Sequence, residues 1–451
     1  MKIDELAHKP VGRLLWQYSL PSVVGMVVVS MYNVIDRVII GQQVGAAAIA
    51  GLAITFPVMN LATAFGTLIG VGSSARISIL LGQKRHEEAS NVLGNALILT
   101  LILGTLYIAF FAAFLDEILV AFGASEATLP YAHDFMATLL PGLLLMNLTW
   151  SFNNIQRASG YPRRAMAAML ISTGVNLVLA IVFVMGLDMG IRGAALATDC
   201  AMFTAMVFVM WHFLQRDSVV HFRRGIYGLR WPVIVSIISI GAAPALVNAV
   251  GCLINIVLNN KLKTFGGDMA IGAAGLFTTY TQLIVMVVIG ICQGMQPIVG
   301  YNYGAGKFHR MKRAYRLAVA AASVLCCLGA AIGIAMPRMV ARIFNPDPEL
   351  IAATERCLQL ALLAFFVVGY QIVSTNFFQS IGKAGKSILL SLSRQAIFLI
   401  PLLLWLPSQL GLNGIWLSFP ISDILATLVT YVLMRVQFRQ LSRLEKCSKE
   451  S

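Results

Sequence analysis

The sequence predicts an all-α integral membrane protein of about twelve transmembrane helices, arranged as two parallel six-helix repeats that form two lobes. Three observations predict this fold: an apolar composition, a regular series of long apolar segments, and an internal repeat with a constant offset along the chain. Hydrophobic residues occupy 58% of the 451 positions and charged residues only 12%, whereas a soluble domain has about 25% charged residues. Most of the chain is therefore predicted to lie in lipid.

Apolar segments long enough to cross a bilayer recur along the chain, since about 20 helical residues cover roughly 30 Å of hydrocarbon. The predicted spans are residues 14–40, 46–72, 91–115, 129–155, 165–186, 193–214, 232–259, 272–299, 316–336, 351–380, 387–407 and 414–435. The first span is expected to stay in the mature protein, because residues 1–10 lack the pattern of a cleaved signal peptide. The seven cysteines show no spacing typical of disulfides or metal sites.

The net charge of +14 is explained by where the basic residues lie along the chain. If the N-terminus is cytoplasmic, twenty-five Lys and Arg residues, Arg394 among them, fall in segments on the cytoplasmic side, and five fall on the other side. Loops rich in Lys and Arg stay in the cytoplasm. Both termini are therefore predicted to be cytoplasmic, and no binding of nucleic acid is expected.

Glycines mark the internal repeat. Those at Gly72, Gly82 and Gly160 correspond to Gly294, Gly304 and Gly382, with the same separation in each pair, and the first two pairs lie in the predicted loops after spans 2 and 8. Because six spans restore the starting orientation, the repeats are parallel, and two such bundles can expose a shared cleft to either side in turn. The predicted domains are an N-terminal lobe over residues 1–214, a cytoplasmic linker over 215–231, and a C-terminal lobe with a short cytoplasmic tail over 232–451.

Three acidic residues fall well inside predicted spans, where a carboxylate costs several kcal/mol and indicates a functional site. Asp36 lies in span 1, and Tyr32 is one helical turn away on the same face, with Asn33 beside it. These groups predict a polar pocket. The alternative is an interfacial Asp36 that its neighbour Arg37 neutralises.

The other two acids are Asp199 in span 6 and Asp423 in span 12. Asp199 follows Thr198, and Asn176 of span 5 lies at a similar depth, so one cavity receives them all if spans 1, 5 and 6 pack together. The alternative for Asp199 is an acid in the first turn of its helix. Asp423 has no obvious partner, and a cavity residue and an interhelical hydrogen bond are equally open.

Motifs of enzymes are absent from the sequence: there is no phosphate-binding GxxxxGK[ST], no HExxH, and no Ser, His and Asp set within the spans. The chain is therefore predicted not to be an enzyme. Without an ATP site, any transport is expected to be driven by an ion gradient.

The sequence resembles the multidrug and toxic compound extrusion (MATE) family over essentially its whole length. The residues that carry the resemblance are Tyr32, Asp36 and Gly41 in span 1, Ala50 to Leu52, Asn154 to Gly160 after span 4, Asn176 in span 5, and Gly193 to Thr198 in span 6. The resemblance implies a monomeric transporter of the bacterial inner membrane that exchanges H⁺ or Na⁺ for small organic, cationic drugs by alternating access. It implies no cofactor besides the coupling ion.

The resemblance favours the DinF-like branch, whose cation site lies in the N-terminal half, because spans 7 and 10 offer no acid unless Glu355 lies deeper than its position suggests. It implies cation coupling by Asp36 and Asn176, with Na⁺ as a possible ion at these two residues, and Tyr32, Thr198 and Asp199 are predicted to belong to the same site. The predicted substrate cavity includes Asn33, Asn154 and Asp423. The branch places a second acid four residues after the Asn of span 5, where this sequence has Ala180. Asp199 is a candidate substitute for that acid.

Two other classes of function stay open. A flippase for lipids or lipid-linked oligosaccharides from the same superfamily would show more spans and a basic central cavity, and the sequence shows no intramembrane cluster of Arg or Lys for a pyrophosphate. A membrane scaffold or embedded enzyme would produce no flux at all.

Overall fold

A computed structural model describes residues 4–43, 46–126, 128–215, 218–344 and 347–450. Within these ranges, the side chains of residues 4, 32–34, 36–43, 46–50, 53, 268 and 446–450 are not described. The described residues form helices joined by short connections and contain no β-strand.

Twelve long helical segments follow one another in the order that the sequence predicts. They are α1 Val11–Gln43, α2 Ala46–Gly82, α3 His86–Ala113, α4 Leu129–Ala158, α5 Pro162–Ala180, α6 Gly190–Leu214, α7 Trp231–Gly267, α8 Met269–Gly304, α9 Phe308–Ala335, α10 Pro348–Ala361 with Phe365–Ser380, α11 Ala384–Leu410 and α12 Leu412–Glu450. Three short helices lie between them or before them, at Asp4–His8, Leu115–Ala121 and Pro337–Phe344. Eleven of the described helices are long and apolar enough to cross a membrane, and α10 makes twelve if its bent pair is one span. The predicted fold class is confirmed.

The predicted loops after spans 2 and 8 are wrong, because α2 stays helical to Gly82 and α8 to Gly304. Hydropathy marks the apolar part of a helix, whereas helical hydrogen bonds continue into polar sequence wherever the side chains find a packed surface. The helix α7 likewise continues to Gly267, whose φ of 63° separates α7 from α8. Glycine adopts this left-handed conformation at no steric cost.

Two irregularities of the helices were not predicted. The two parts of α10 are bent by 59° at a break of residues 362–364, although no proline lies there. A π-helical turn continues α5 at Ile181–Gly186, and another interrupts α11 at Ser393–Leu399. Such wide turns are rare and are frequent at functional sites.

The chain forms two compact units. Unit 1 contains residues 1–8 and 20–245, and unit 2 contains residues 9–19 and 246–451. These bounds differ from the predicted domains at residues 9–19 and 232–245, and the predicted linker of residues 215–231 falls within unit 1. In unit 2, Arg310 donates a hydrogen bond from Nη2 to the carbonyl oxygen of Lys9 at 2.5 Å, and the Ser19 hydroxyl donates to the carbonyl oxygen of Ile291 at 3.4 Å.

Within unit 1, α2 and the first part of α7 approach each other at the level of their backbones. A Cβ atom on Gly72 would overlap the carbonyl group of Ile237, and one on Gly241 would overlap the carbonyl group of Leu68. Close backbone approach through small residues is how helices associate in lipid, where no hydrophobic force acts between them. This contact explains why residues 232–245 belong to unit 1.

Hydrogen bonds at equivalent positions, related by the offset of the glycine pairs, support the internal repeat. In unit 1, the hydroxyl of Tyr107 in α3 donates to the carbonyl oxygen of Val58 in α2 at 2.5 Å. In unit 2, Tyr280 of α8 stands at the position of Val58, and it donates to the carbonyl oxygen of Gly329 in α9 at 2.6 Å. Gly329 stands at the position of Tyr107. The two units thus make the same interhelical bond with the donor on opposite helices.

The fourth and fifth helices of each repeat show a second exchange of this kind. Asn153 of α4 donates to the carbonyl oxygen of Ala165 at 2.8 Å, and Ser387 of α11 donates to that of Thr375 at 3.2 Å. Ser387 stands at the position of Ala165 in the second repeat, and Thr375 stands at the position of Asn153.

A third pair of contacts keeps its direction. Arg164 donates to Oε1 of Gln215 at 3.0 Å, and Lys386 donates to Oε1 of Gln437 at 2.9 Å. Lys386 stands at the position of Arg164, and Gln437 stands at the position of Gln215. The repeat therefore preserves contacts between helices as well as their number.

The backbone contact at Gly241 predicts the effect of adding one methyl group. We expect Gly241→Ala to lower the melting temperature of the detergent-solubilised protein by several degrees, because its Cβ meets a carbonyl oxygen that cannot rotate away. The matched control is Gly251→Ala in the same helix, where no atom lies within 4 Å of the new Cβ. Alanine favours the helix by about 1 kcal/mol over glycine, so the control is expected to melt at the same temperature or higher. Equal melting of the two variants contradicts the contact.

Candidate ion-coupling site and a buried ion pair

The helix α1 carries the predicted group of Tyr32, Asn33 and Asp36, and its backbone is helical at all three positions. Their side chains lie outside the described residues. The assignments of these three residues therefore stay predictions.

The structure brings Asn176 of α5 and Thr198 of α6 together, as the sequence predicts. The amide Nδ2 of Asn176 donates a hydrogen bond to the Thr198 hydroxyl at 3.0 Å, and this hydroxyl donates to the carbonyl oxygen of Ala194 at 3.1 Å. The chain of donors fixes the orientation of the amide. Its Oδ1 atom is buried and accepts no hydrogen bond from the described residues.

Asp199 lies nine residues after the start of α6 at Gly190, or about 14 Å along the helix axis at 1.5 Å per residue. The structure therefore contradicts the alternative that Asp199 is an acid in the first turn of its helix. The carboxylate packs on α4 at Gly142, where a Cβ atom would overlap Oδ1. This Oδ1 atom is buried and has no hydrogen-bond partner among the described residues.

Oδ1 of Asn176 and Oδ1 of Asp199 are thus two of the six buried side-chain oxygens of unit 1 that have no hydrogen-bond partner among the described residues, the others being those of Ser73, Asn147, Asn153 and Gln156. A buried acceptor without a donor costs about 1–3 kcal/mol, and a charged one costs more. A carboxylate binds a proton, and carboxylate and amide oxygens are ligands for hard cations. The Asp199 oxygen is therefore suited to a proton or a cation, and the Asn176 oxygen to a cation.

Ala180, which replaces the second acid of the DinF-like pattern, is buried at the end of α5, directly before the π-helical turn Ile181–Gly186. The side chain is 1% exposed. A carboxylate at this position would be enclosed by protein.

Asn154, predicted to line a substrate cavity, uses both polar atoms of its side chain within α4. Nδ2 donates to the carbonyl oxygen of Trp150 at 2.9 Å, and Oδ1 accepts a hydrogen bond from Nη2 of Arg157 at 2.7 Å. Arg157 is only 3% exposed. This geometry shows Asn154 orienting a buried guanidinium, a role that the sequence did not suggest.

Asp423 of α12 has a partner that the sequence analysis missed. Its Oδ1 accepts a hydrogen bond from Nε of Arg394 in α11 at 2.7 Å, and its side chain is 4% exposed. Of the two roles left open for Asp423, the structure shows the interhelical bond. Arg394, counted with the cytoplasmic basic residues, lies ten residues inside α11, because the helix starts at Ala384.

Glu355 does not form a deep cation site in unit 2. Its carboxylate pairs with Nε of Arg338 at 2.7 Å, and the Arg338 side chain is 71% exposed. Among the described residues, no group of three or more His, Cys, Asp and Glu side chains is placed to hold a metal ion.

Three residues of these sites were not predicted: Gly142, Arg157 and Arg394. Gly142 gives no sequence signal, because its role depends on which side chain packs against it. For Arg394 a signal existed, since an apolar stretch from Ala396 to Trp405 follows it and places it inside a span.

Twelve apolar helices in two related units, with unpaired oxygens and an ion pair at membrane depth, define the chain as a polytopic membrane transporter. The MatE family profile matches residues 21–182 and 240–405. The chain belongs to the MatE family, as the resemblance indicated.

Relatives and solved structures match over nearly the whole chain. The multidrug export protein MepA of Staphylococcus haemolyticus is 24% identical over 98% of both chains, and MepA of Staphylococcus aureus NCTC 8325 is 25% identical over 96% of both. A structure of the MATE multidrug transporter DinF-BH is 34% identical, with a TM-score of 0.87 over 94% of this chain and 95% of that one. A MOP superfamily transporter from Pyrococcus furiosus shares the fold, with 24% identity and a TM-score of 0.92 over 98% of this chain and 99% of that one.

The buried ion pair predicts a pattern of stabilities. We expect Arg394→Leu to destabilise the protein by about 3–5 kcal/mol, because it leaves the Asp423 carboxylate uncompensated in a low dielectric. The double variant Arg394→Leu/Asp423→Leu is expected to regain most of this loss, since two apolar side chains need no partner. Melting temperatures in detergent measure both effects. A double variant that melts below the single one contradicts the pairing.

Proposed function

We propose that the protein is a secondary active multidrug efflux transporter that exchanges H⁺ or Na⁺ for small organic, cationic molecules by alternating access. Membership of the MatE family supports transport, and the names of its relatives, multidrug export protein and multidrug transporter, support the substrate class. The protein carries out no catalytic step, and the coupling ion is its only inorganic requirement.

The observation that supports ion coupling is that Oδ1 of Asn176 and Oδ1 of Asp199, two oxygens of the predicted site, are buried and have no hydrogen-bond partner among the described residues. A ligand can shift a conformational equilibrium only as far as it binds one state better than the other. Oxygens that lack a protein donor in one conformation provide this difference, because Na⁺ can bind either oxygen there and a proton can bind the Asp199 carboxylate.

Asp36 completes this proposal as the essential coupling carboxylate. It lies on α1 within the matched residues 21–182, and a carboxylate at membrane depth is retained only where it serves a function. Tyr32, Asn176 and Thr198 are proposed as its neighbours. Asp199 is proposed to supply the acid that Ala180 lacks.

The test uses purified protein in proteoliposomes, loaded with a cationic rhodamine dye and exposed to a proton gradient or a Na⁺ gradient in turn. Dye movement that follows one gradient and stops when that gradient is collapsed supports the proposal and identifies the ion. A well-folded protein that moves no dye under either gradient contradicts it and favours a scaffold.

Asp36→Asn is expected to abolish ion-driven efflux while leaving folding intact, since asparagine keeps the size of the side chain but removes its charge. Asp199→Asn is expected to impair coupling, and Ala180→Asp to be tolerated or to change the ion dependence. Flux in proteoliposomes measures coupling, and the melting temperature controls for folding. Normal gradient-driven efflux by the Asp36→Asn protein would falsify its role and turn attention to Asp199.

The excess of basic residues in the predicted inner segments supports an orientation with both termini and the linker of residues 215–231 in the cytoplasm, and the bacterial relatives support a location in a bacterial plasma membrane. In a cysteine-free background, Arg224→Cys in this linker is expected to react with a membrane-impermeant maleimide only after cells are permeabilised. Lys263→Cys is the control for the outer side and is expected to react in intact cells. Both positions are exposed. Labelling of Arg224→Cys in intact cells would reverse the orientation.

A further inference from the structure

We propose that the Arg394–Asp423 pair of unit 2 is a binding subsite for an anionic group, a carboxylate or a phosphate, so that the substrates include zwitterionic organic molecules. The inference rests on the proposed function, because the molecules that bind here are its transported substrates.

The first argument is the depth of the charge. Arg394 lies ten residues from the end of α11 at Ala384 and sixteen from the end at Leu410, or about 15 Å and 24 Å along the helix. A guanidinium at this depth that faced lipid would be strongly unfavourable. Its exposed edge must therefore face an aqueous space or a ligand.

The second argument is which edge of the guanidinium the protein uses. Only Nε bonds to Asp423, and no acceptor among the described residues bonds to Nη1 or Nη2 of Arg394. A guanidinium has five N–H donors in a planar fork, and the fork matches the two oxygens of a carboxylate or phosphate. The edge that carries the two Nη groups is left to bind such a group.

The third argument is accessibility. The Arg394 side chain is 27% exposed, whereas that of Asp423 is 4% exposed. A ligand that approaches the pair therefore meets the positive member first. Asp423 fixes the guanidinium and balances its charge when no ligand is present, but it is too enclosed to bind an organic cation itself.

The surroundings favour a ligand site over a simple bond between helices. Arg394 is the second residue of the π-helical turn Ser393–Leu399, and its neighbour Gln395 has a buried Oε1 with no hydrogen-bond partner among the described residues. The helices α11 and α12 of unit 2 thus carry polar groups that the protein itself satisfies only in part.

The subsite is confined to unit 2. The equivalent positions of the first repeat are Ser172 for Arg394 and Ala201 or Met202 for Asp423, and none of these residues carries a charge. The charged pair is therefore not among the contacts that the two repeats share.

The test compares two dyes that differ in one charge: a rhodamine with a free carboxylate and the ethyl ester of the same dye. Equilibrium binding to the full-length protein in nanodiscs is followed by fluorescence anisotropy. In the variant Arg394→Leu/Asp423→Leu, which removes both charges, we expect affinity for the acid to fall about tenfold or more and affinity for the ester to change less than about twofold, since only the acid loses a charge-assisted hydrogen bond.

Two further variants sharpen the comparison. Arg394→Lys keeps the charge but loses the planar fork, so it is expected to show an intermediate loss of acid binding. Arg316→Leu removes an exposed positive charge elsewhere in unit 2 and is expected to leave both affinities unchanged. Inorganic phosphate is expected to compete with the acid and not with the ester.

The inference is overturned if the folded double variant binds the rhodamine acid with unchanged affinity. It is also overturned if the affinities for the acid and the ester fall equally. Flux of the two dyes by the unaltered protein in proteoliposomes is measured separately. An absence of flux contradicts the proposed function, whereas the ratio of acid to ester binding decides the subsite.

Discussion

Every polar group that this chain places in the bilayer must be satisfied by another part of the chain, because hydrocarbon offers no hydrogen bonds. The backbone meets this constraint by forming helices, and the tyrosine hydroxyls meet it through carbonyl oxygens of neighbouring helices, as Tyr107 and Tyr280 do. Against this background, an unsatisfied group is informative. Unit 1 has six buried side-chain oxygens without a partner among the described residues, and Oδ1 of Asn176 and Oδ1 of Asp199 are the two that belong to the predicted ion site.

Much of the fold was predictable, because the ability to cross a membrane is a property of each segment by itself. The length and apolarity of a segment do not depend on its neighbours, so hydropathy located all twelve helices. The ends of the helices and the 59° bend of α10 depend on packing and on backbone conformation. The sequence around residues 362–364 contains no proline and gave no sign of the bend.

The candidate sites were predictable only where a residue type is costly by itself. Asp199 and Asp423 were identified because an acidic side chain within a span is energetically costly and therefore indicates a functional site. Gly142 was missed because its role, making room for the Asp199 side chain, depends on a contact between helices that the sequence does not reveal. Arg394 was missed because it was counted with the cytoplasmic basic residues, although it lies inside the predicted span 387–407. The two repeats make equivalent hydrogen bonds between helices, but the donor lies on a different helix in each repeat. A comparison of residue types between the repeats therefore does not detect these contacts.

Unit 2 joins residues 9–19 with residues 246–451. The ribosome delivers the first of these segments before the second exists, since chains are made from the N-terminus onward. The contacts of Ser19 with Ile291 and of Lys9 with Arg310 therefore cannot form until α8 and α9 have been made. The beginning of the first helix waits for its partners through the synthesis of the whole first repeat, and helices of the second repeat complete its environment.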